Sequence, residues 1–135
     1  MDRKSLQLWL DKYVEAWRTY DRAHIGDLFS DDALYFYSPW DEDNPVRGCE
    51  AIVAEWRKEP DPSGSWEARY EPVAVEGNIG IAQGRTRYFR LDGTVDREFQ
   101  NIFVLHFDEA GRCERFTEWY MRPRSAQQAA PGQIG

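Results

Sequence analysis

The chain has 135 residues, a formal net charge of −7, and is 41% hydrophobic and 15% aromatic. That length predicts one domain with a substantial core, and the aromatic content excludes a disordered chain. The negative charge repels phosphate backbones and anionic lipid surfaces, so neither nucleic acid nor a membrane is an expected partner.

Leu6, Trp9, Leu10, Tyr13, Val14, Trp17 and Tyr20 recur at three- and four-residue steps, which predicts an amphipathic helix from about Ser5 to Tyr20. Asp21 is placed to cap a short second helix carrying Ile25, Leu28 and Phe29, which Asp31 and Asp32 end. Leu34 to Tyr37 reads as a strand, stopped by Ser38-Pro39. The acidic, proline-bearing run from Trp40 to Arg47 reads as a loop, and Trp40 is large enough to plug a cavity entrance as part of a mobile lid. Gly48 opens a third helix with Ile52, Val53 and Trp56 on its inner stripe, closed by Pro60 and Pro62. Cys49 sits at that helix start, a position that lowers a thiol's pKa.

Strand-like runs follow over Ser65 to Val75 and Asn78 to Arg90, and Asp92-Gly93 signals a hairpin into a strand beginning near Glu98. The last two strands are joined by Asp108-Glu109-Ala110-Gly111. On the first of them Phe99, Asn101, Phe103, Leu105 and Phe107 share a face, and on the second Phe116, Glu118 and Tyr120 do. Pairing Phe107 with Arg112 would set Asn101 opposite Glu118, Phe103 opposite Phe116 and Phe99 opposite Tyr120. A bulge at Gly111 would slip that register by one residue and turn Glu118 outward.

The expected architecture is α+β, with helices on one face of a curved antiparallel or mixed sheet, over residues 1–123. A flexible tail is expected over residues 124–135. No run approaches the roughly 18 apolar residues of a spanning helix, and MDRKSLQLWL lacks a signal peptide's apolar core, so a cytoplasmic location with free Cys49 and Cys113 is expected. No metal-ligand spacing and no phosphate-cradling glycine motif is present, so no metal or cofactor is expected.

The runs YVEAW, LFSDDALYFYSP, RGCEAIV and FDEAGRCERFTEWY resemble the nuclear transport factor 2-like superfamily, in its SnoaL-like branch, from about Leu6 to Arg122. The resemblance implies a cone in which a curled sheet wraps a long helix and leaves a cavity open at one end. It covers both cofactor-independent enzymes and proteins that only bind ligands or dimerise, so fold alone does not assign function. Measured against ketosteroid isomerase, Tyr13 falls at the oxyanion-binding tyrosine, whereas Tyr37 and Phe103 stand where that enzyme has acids. Measured against limonene-1,2-epoxide hydrolase, Tyr35, Arg85 and Glu118 match a tyrosine, an arginine and one acid. Tyr37 there replaces an asparagine and Arg87 the second acid, and Asn101 is the remaining amide.

Glu118, Arg85 and Tyr35 are thus the candidate catalytic residues. Tyr13, Trp17, Tyr37, Trp56, Arg87, Phe99, Asn101, Phe103 and Phe116 are the candidate ligand contacts. Arg85 and Arg87 share a parity with Ile79, Ile81 and Phe89, so both enter the cavity or neither does. If they enter, the ligand should carry a carboxylate, phosphate or enolate and Glu118 should stay ionised beside them. The expected ligand is small and mostly apolar, handled by an isomerase, lyase or hydrolase, with a non-catalytic binding module as the alternative. A homodimer is expected through the opposite sheet face, with Ile102 and Val104 at its centre and Gly80, Ala82 and Gly84 beside them.

Overall fold

A computed structural model of the protein describes residues 1–124. The expected tail, Arg124 excepted, lies outside the described residues. Helix α1 spans Arg3–Thr19, α2 Arg22–Gly26 and α3 Cys49–Lys58. The strands are β1 (Phe29–Phe36), β2 (Val46–Arg47), β3 (Trp66–Glu76), β4 (Ile79–Phe89), β5 (Val95–Phe107) and β6 (Cys113–Met121). They form one sheet in the order β2-β1-β6-β5-β4-β3, in which β1 runs parallel to β6 and the other pairs are antiparallel.

A capping box starts α1: the Ser5 amide donates to Asp2 Oδ1 at 2.7 Å and the Asp2 amide to Ser5 Oγ at 2.9 Å. Its stripe buries Leu6, Trp9, Leu10, Tyr13 and Ala16. The helix stops at Tyr20, which takes a left-handed conformation (φ 53°), sparsely populated by residues other than glycine. Tyr20 is held there by Asp61: its hydroxyl accepts from the Asp61 amide at 2.8 Å and donates to Asp61 Oδ2 at 3.2 Å. The short second helix ends sooner than its apolar spacing suggests, and Phe29 to Asp32 belong to β1. Phe29 there joins the buried core, while Asp31 and Asp32 stay exposed.

The face of β4 was decided by space. Gly80, Ala82, Gly84 and Thr86 face the interior, and Ile79, Ile81, Arg85 and Arg87 face out. A side-chain carbon added at Gly80 would stand 3.0 Å from Leu6 Cδ2, so the small residues are where α1 presses onto the sheet. Gly80, Ala82 and Gly84 therefore do not contribute to the outer face, contrary to the expectation for the dimer surface. Among the described residues no helix is long and apolar enough to cross a membrane.

The β5–β6 register differs from the expected one. The turn is one residue longer, pairing Phe107 with Cys113, and Glu114 bulges out before Arg115 pairs with His106. Two one-residue slips add to two, which restores parity. Phe103 thus lies opposite Glu118, Asn101 opposite Tyr120 and Leu105 opposite Phe116. Glu118 still points inward, as a diagonal neighbour of Asn101 rather than its direct partner.

Candidate active-site cavity

The open end of the sheet and the helices enclose a cavity of about 510 Å³. From α1 come Tyr13 and Trp17, from β1 and its end Tyr35 and Tyr37, and from α3 Glu55 and Trp56. The sheet supplies Tyr70, Thr86, Tyr88, Phe99, Asn101, Glu118 and Tyr120, with Arg97 and Arg122 nearer the rim. Phe103 and Phe116 do not line it. They lie beneath as buried packing, with the Tyr13 ring stacked on Phe116 at 5.7 Å.

A chain of hydrogen bonds runs along the wall. The Tyr70 and Thr86 hydroxyls are 2.7 Å apart, and Thr86 donates to Asn101 Oδ1 at 2.9 Å. Asn101 Nδ2 donates to Glu118 Oε2 at 2.6 Å. Since Thr86 gives its one proton to Asn101, Tyr70 is the donor to Thr86, and every donor in the chain points toward the carboxylate. Thr86→Val should break it, leaving Asn101 Oδ1 and the Tyr70 hydroxyl buried without partners. The expected cost is about 1–3 kcal/mol, read as a shift in the urea unfolding midpoint. An unchanged midpoint would mean that water replaces Thr86 and the chain does not act as a unit.

Burial among aromatic rings raises the Glu118 carboxyl to about 7, against the smaller lowering effect of the Asn101 hydrogen bond. The Tyr13 and Tyr35 hydroxyls lie 3.4 Å apart, and burial pushes both well above the usual tyrosine range. Both phenols therefore stay protonated and serve as donors. In such a pair one hydroxyl can donate to the other, which leaves one proton for a bound molecule.

Arg85 and Arg87 do not enter the cavity. Both lie on the outer sheet face, where Arg87 is flanked in register by Glu67 and Glu98 and pairs with them at 3.5 and 2.7 Å. The expected arginine beside Glu118 is absent, which is why desolvation rather than charge sets its pKa. The cavity therefore lacks the arginine-bridged carboxylates of the epoxide-hydrolase comparison, and Arg85 and Arg87 hold no anionic ligand inside it.

Trp40 is 92% exposed and takes no part in the cavity wall. A short 3₁₀ turn, Pro39–Asp41, with the Trp40 amide donating to Ser38 Oγ at 3.2 Å, directs the indole to solvent. Cys49 does begin α3, but burial, with Asp31 next in size, pushes its thiol up rather than down. Among the described residues no group of three or more His, Cys, Asp or Glu could hold a metal ion.

Several wall residues escaped the sequence reading. Arg97 shares the parity of Asn101, and Arg122 that of Glu118 and Tyr120, so continuing each strand's alternation would have found them. Thr86 and Tyr88 carried no such signal, because the hydrophobic parity of β4 pointed to the other face.

A curved sheet folded over a helix, with a polar chain in an aromatic cavity, defines a class of small α+β cavity proteins. A family model described as a SnoaL-like domain matches residues 10–116, and the chain belongs to that family. No curated protein sequence matches it. Solved structures similar in fold include an NTF-2 like protein of unknown function from Burkholderia xenovorans LB400. That likeness has a TM-score of 0.67 at 19% identity, covering 98% of this chain and 97% of that one. Another is a protein of unknown function with cystatin-like fold from Methylobium petroleophilum PM1, with a TM-score of 0.67 at 18% identity, covering 96% of this chain and 84% of that one.

Proposed function

We propose that the cavity binds a small, mostly apolar carbonyl compound and moves a proton on the carbon beside the carbonyl. The observation that carries this is one carboxyl, Glu118, raised to about 7 and held through Oε2 by Asn101 in an aromatic cavity that also presents the Tyr13–Tyr35 hydroxyl pair. A base whose pKa lies near the working pH combines a useful ionised fraction with useful basicity. Glu118 Oε1 takes the α-proton, and the C–H electron pair moves into the carbonyl to form an enolate. A phenol of the tyrosine pair donates a hydrogen bond to the enolate oxygen as charge builds there. Returning the proton to a conjugated carbon completes an isomerisation; in a β-hydroxy ketone the enolate instead expels the hydroxyl, which takes the proton from Glu118 and leaves as water.

A bicyclic ketone with acidic α-hydrogens, 2-tetralone, tests the reading. In heavy water the protein should accelerate deuterium incorporation at the α-carbon, followed by NMR, well above buffer at the same pH. Saturable binding of 2-tetralone without acceleration would leave a ligand-binding module instead.

The outer face supports the second part of this reading, a homodimer. Ile102 and Trp119 are opposite each other and both more than a third exposed, with Val104 beside them on the same face. An apolar centre ringed by Gln83, Gln100 and His106 has the anatomy of an interface. Trp119→Glu should convert a dimer to a monomer in sedimentation equilibrium at roughly tens of micromolar, a concentration suited to a weak interface. A wild-type chain already monomeric there would end the idea.

A further inference from the structure

We propose that Arg97 and Arg122 form an anion-binding subsite at the cavity mouth, so that the ligand is an elongated molecule with a carbonyl at one end and an anionic group at the other. This rests on the cavity being a ligand site and names the class of ligand it selects. Both side chains line the cavity on the strand faces that carry Asn101 and Glu118. Each guanidinium lies over a cavity aromatic: Arg97 over Tyr88 at 4.3 Å and Arg122 over Phe99 at 5.5 Å. Stacking on a ring holds a guanidinium plane in place while leaving its edge N–H groups free to fork onto an acidic group. Arg97 keeps one contact with Asp96, at 3.4 Å. Among the described residues Arg122 has no carboxylate within ion-pair distance.

The α3 part of the lining has the other sign. Glu55 in α3 and Glu59 just beyond it line that side, whereas Asp61, which acts electrostatically on Tyr88, is already engaged by Trp17 Nε1 at 3.0 Å and by Tyr20. An anionic group is repelled from that side and drawn to the strand side, which gives a ligand one orientation. Arg122 lies four residues beyond Glu118, and Arg97 four residues before Asn101. At about 3.3 Å per strand residue, the anion would sit roughly 13 Å from the proton-transferring carboxyl, less what the arginine side chains reach back. Flat ring systems of two or three fused rings span that interval.

Two fluorescent probes separate the contributions. N-Phenyl-1-naphthylamine and 8-anilinonaphthalene-1-sulfonate share one ring skeleton, and only the second carries an anion. With the wild-type chain the two should displace each other, and raising salt should weaken the sulfonate alone. In the Arg97→Gln/Arg122→Gln variant the sulfonate should bind about tenfold more weakly while the neutral probe changes by less than about twofold, as expected for loss of charge-assisted contacts. Both residues are exposed, so the fold should be unaffected, and unchanged thermal unfolding checks this. Equal weakening of both probes, no change in either, or failure of the two to compete overturns the subsite. If neither probe binds, the cavity reading itself fails, a result distinct from binding without charge preference.

Discussion

Glu118→Gln lowers α-proton exchange into 2-tetralone by about 10²–10⁴-fold, the range expected when a positioned general base is lost. The substitution keeps the side chain's shape and can keep the bond from Asn101 Nδ2 to Oε1 of the amide, so the fold survives. Wild-type exchange should rise with pH and level off above about 7, where the Glu118 carboxyl becomes ionised. The residual rate of the variant should not show that step. The same substitution moves stability in the other direction. The folded-state pKa, about 7, lies above the ordinary value of 4.5, so between those values the folded chain holds a proton that the unfolded chain releases. This contribution to stability is full below pH 4.5 and is lost as pH rises through 7. It amounts to about 1–3 kcal/mol, and it should vanish in the variant. Above about pH 8 the glutamine protein should therefore be less active yet more resistant to urea. A variant equally active would remove Glu118 from the mechanism, and one less stable than wild type at that pH would overturn the account of a carboxyl raised by desolvation.

The largest stability effect is expected at Gly84→Ala. A carbon added there would overlap the backbone oxygen of Arg69 and the ring of Tyr70 on the neighbouring strand. A flexible side chain can move aside, but the Arg69 carbonyl belongs to β3 and shifts only if the strand pairing does. The cost should be about 3 kcal/mol, at the upper end for overpacking, and should appear as a lower urea midpoint with an unaltered slope. Glycine at this point lets β3 fold tightly over β4, which brings the Tyr70 hydroxyl within reach of Thr86. Loss of curvature at residue 84 should therefore also weaken the hydrogen-bond chain leading to Glu118. An alanine variant as stable as wild type would show that the sheet can flatten there without loss.

Periodicity carried much of the site. The α1 stripe set Tyr13 and Trp17 on the inner side, and the alternation within β5 and β6 set Asn101 and Glu118 on one wall. These readings need only the geometry of a single element, which repeats every 3.6 or every 2 residues. Trp56 came from the α3 stripe and Phe99 from the strand alternation, Tyr35 and Tyr37 from the family resemblance, and all four line the cavity. Phe103 and Phe116 came from the same alternation but ended as packing beneath the wall, because depth along a strand is not encoded in its parity.

What lay beyond the sequence were relations between elements. Which face of β4 turns inward depends on how closely α1 approaches, and the glycines and alanine that allow the approach looked like outer-surface residues. The β5–β6 register depends on two irregularities, a longer turn and the Glu114 bulge, each of which alone would have expelled Glu118. With Arg85 and Arg87 outside, only the weaker Asn101 hydrogen bond opposes the carboxylate's desolvation, and Glu118 becomes a group that titrates near neutrality. Its identity and its face were in the sequence. Its protonation depended on which charges the folded sheet kept away from it, since an electrostatic environment is a sum over neighbours that only the tertiary structure assembles.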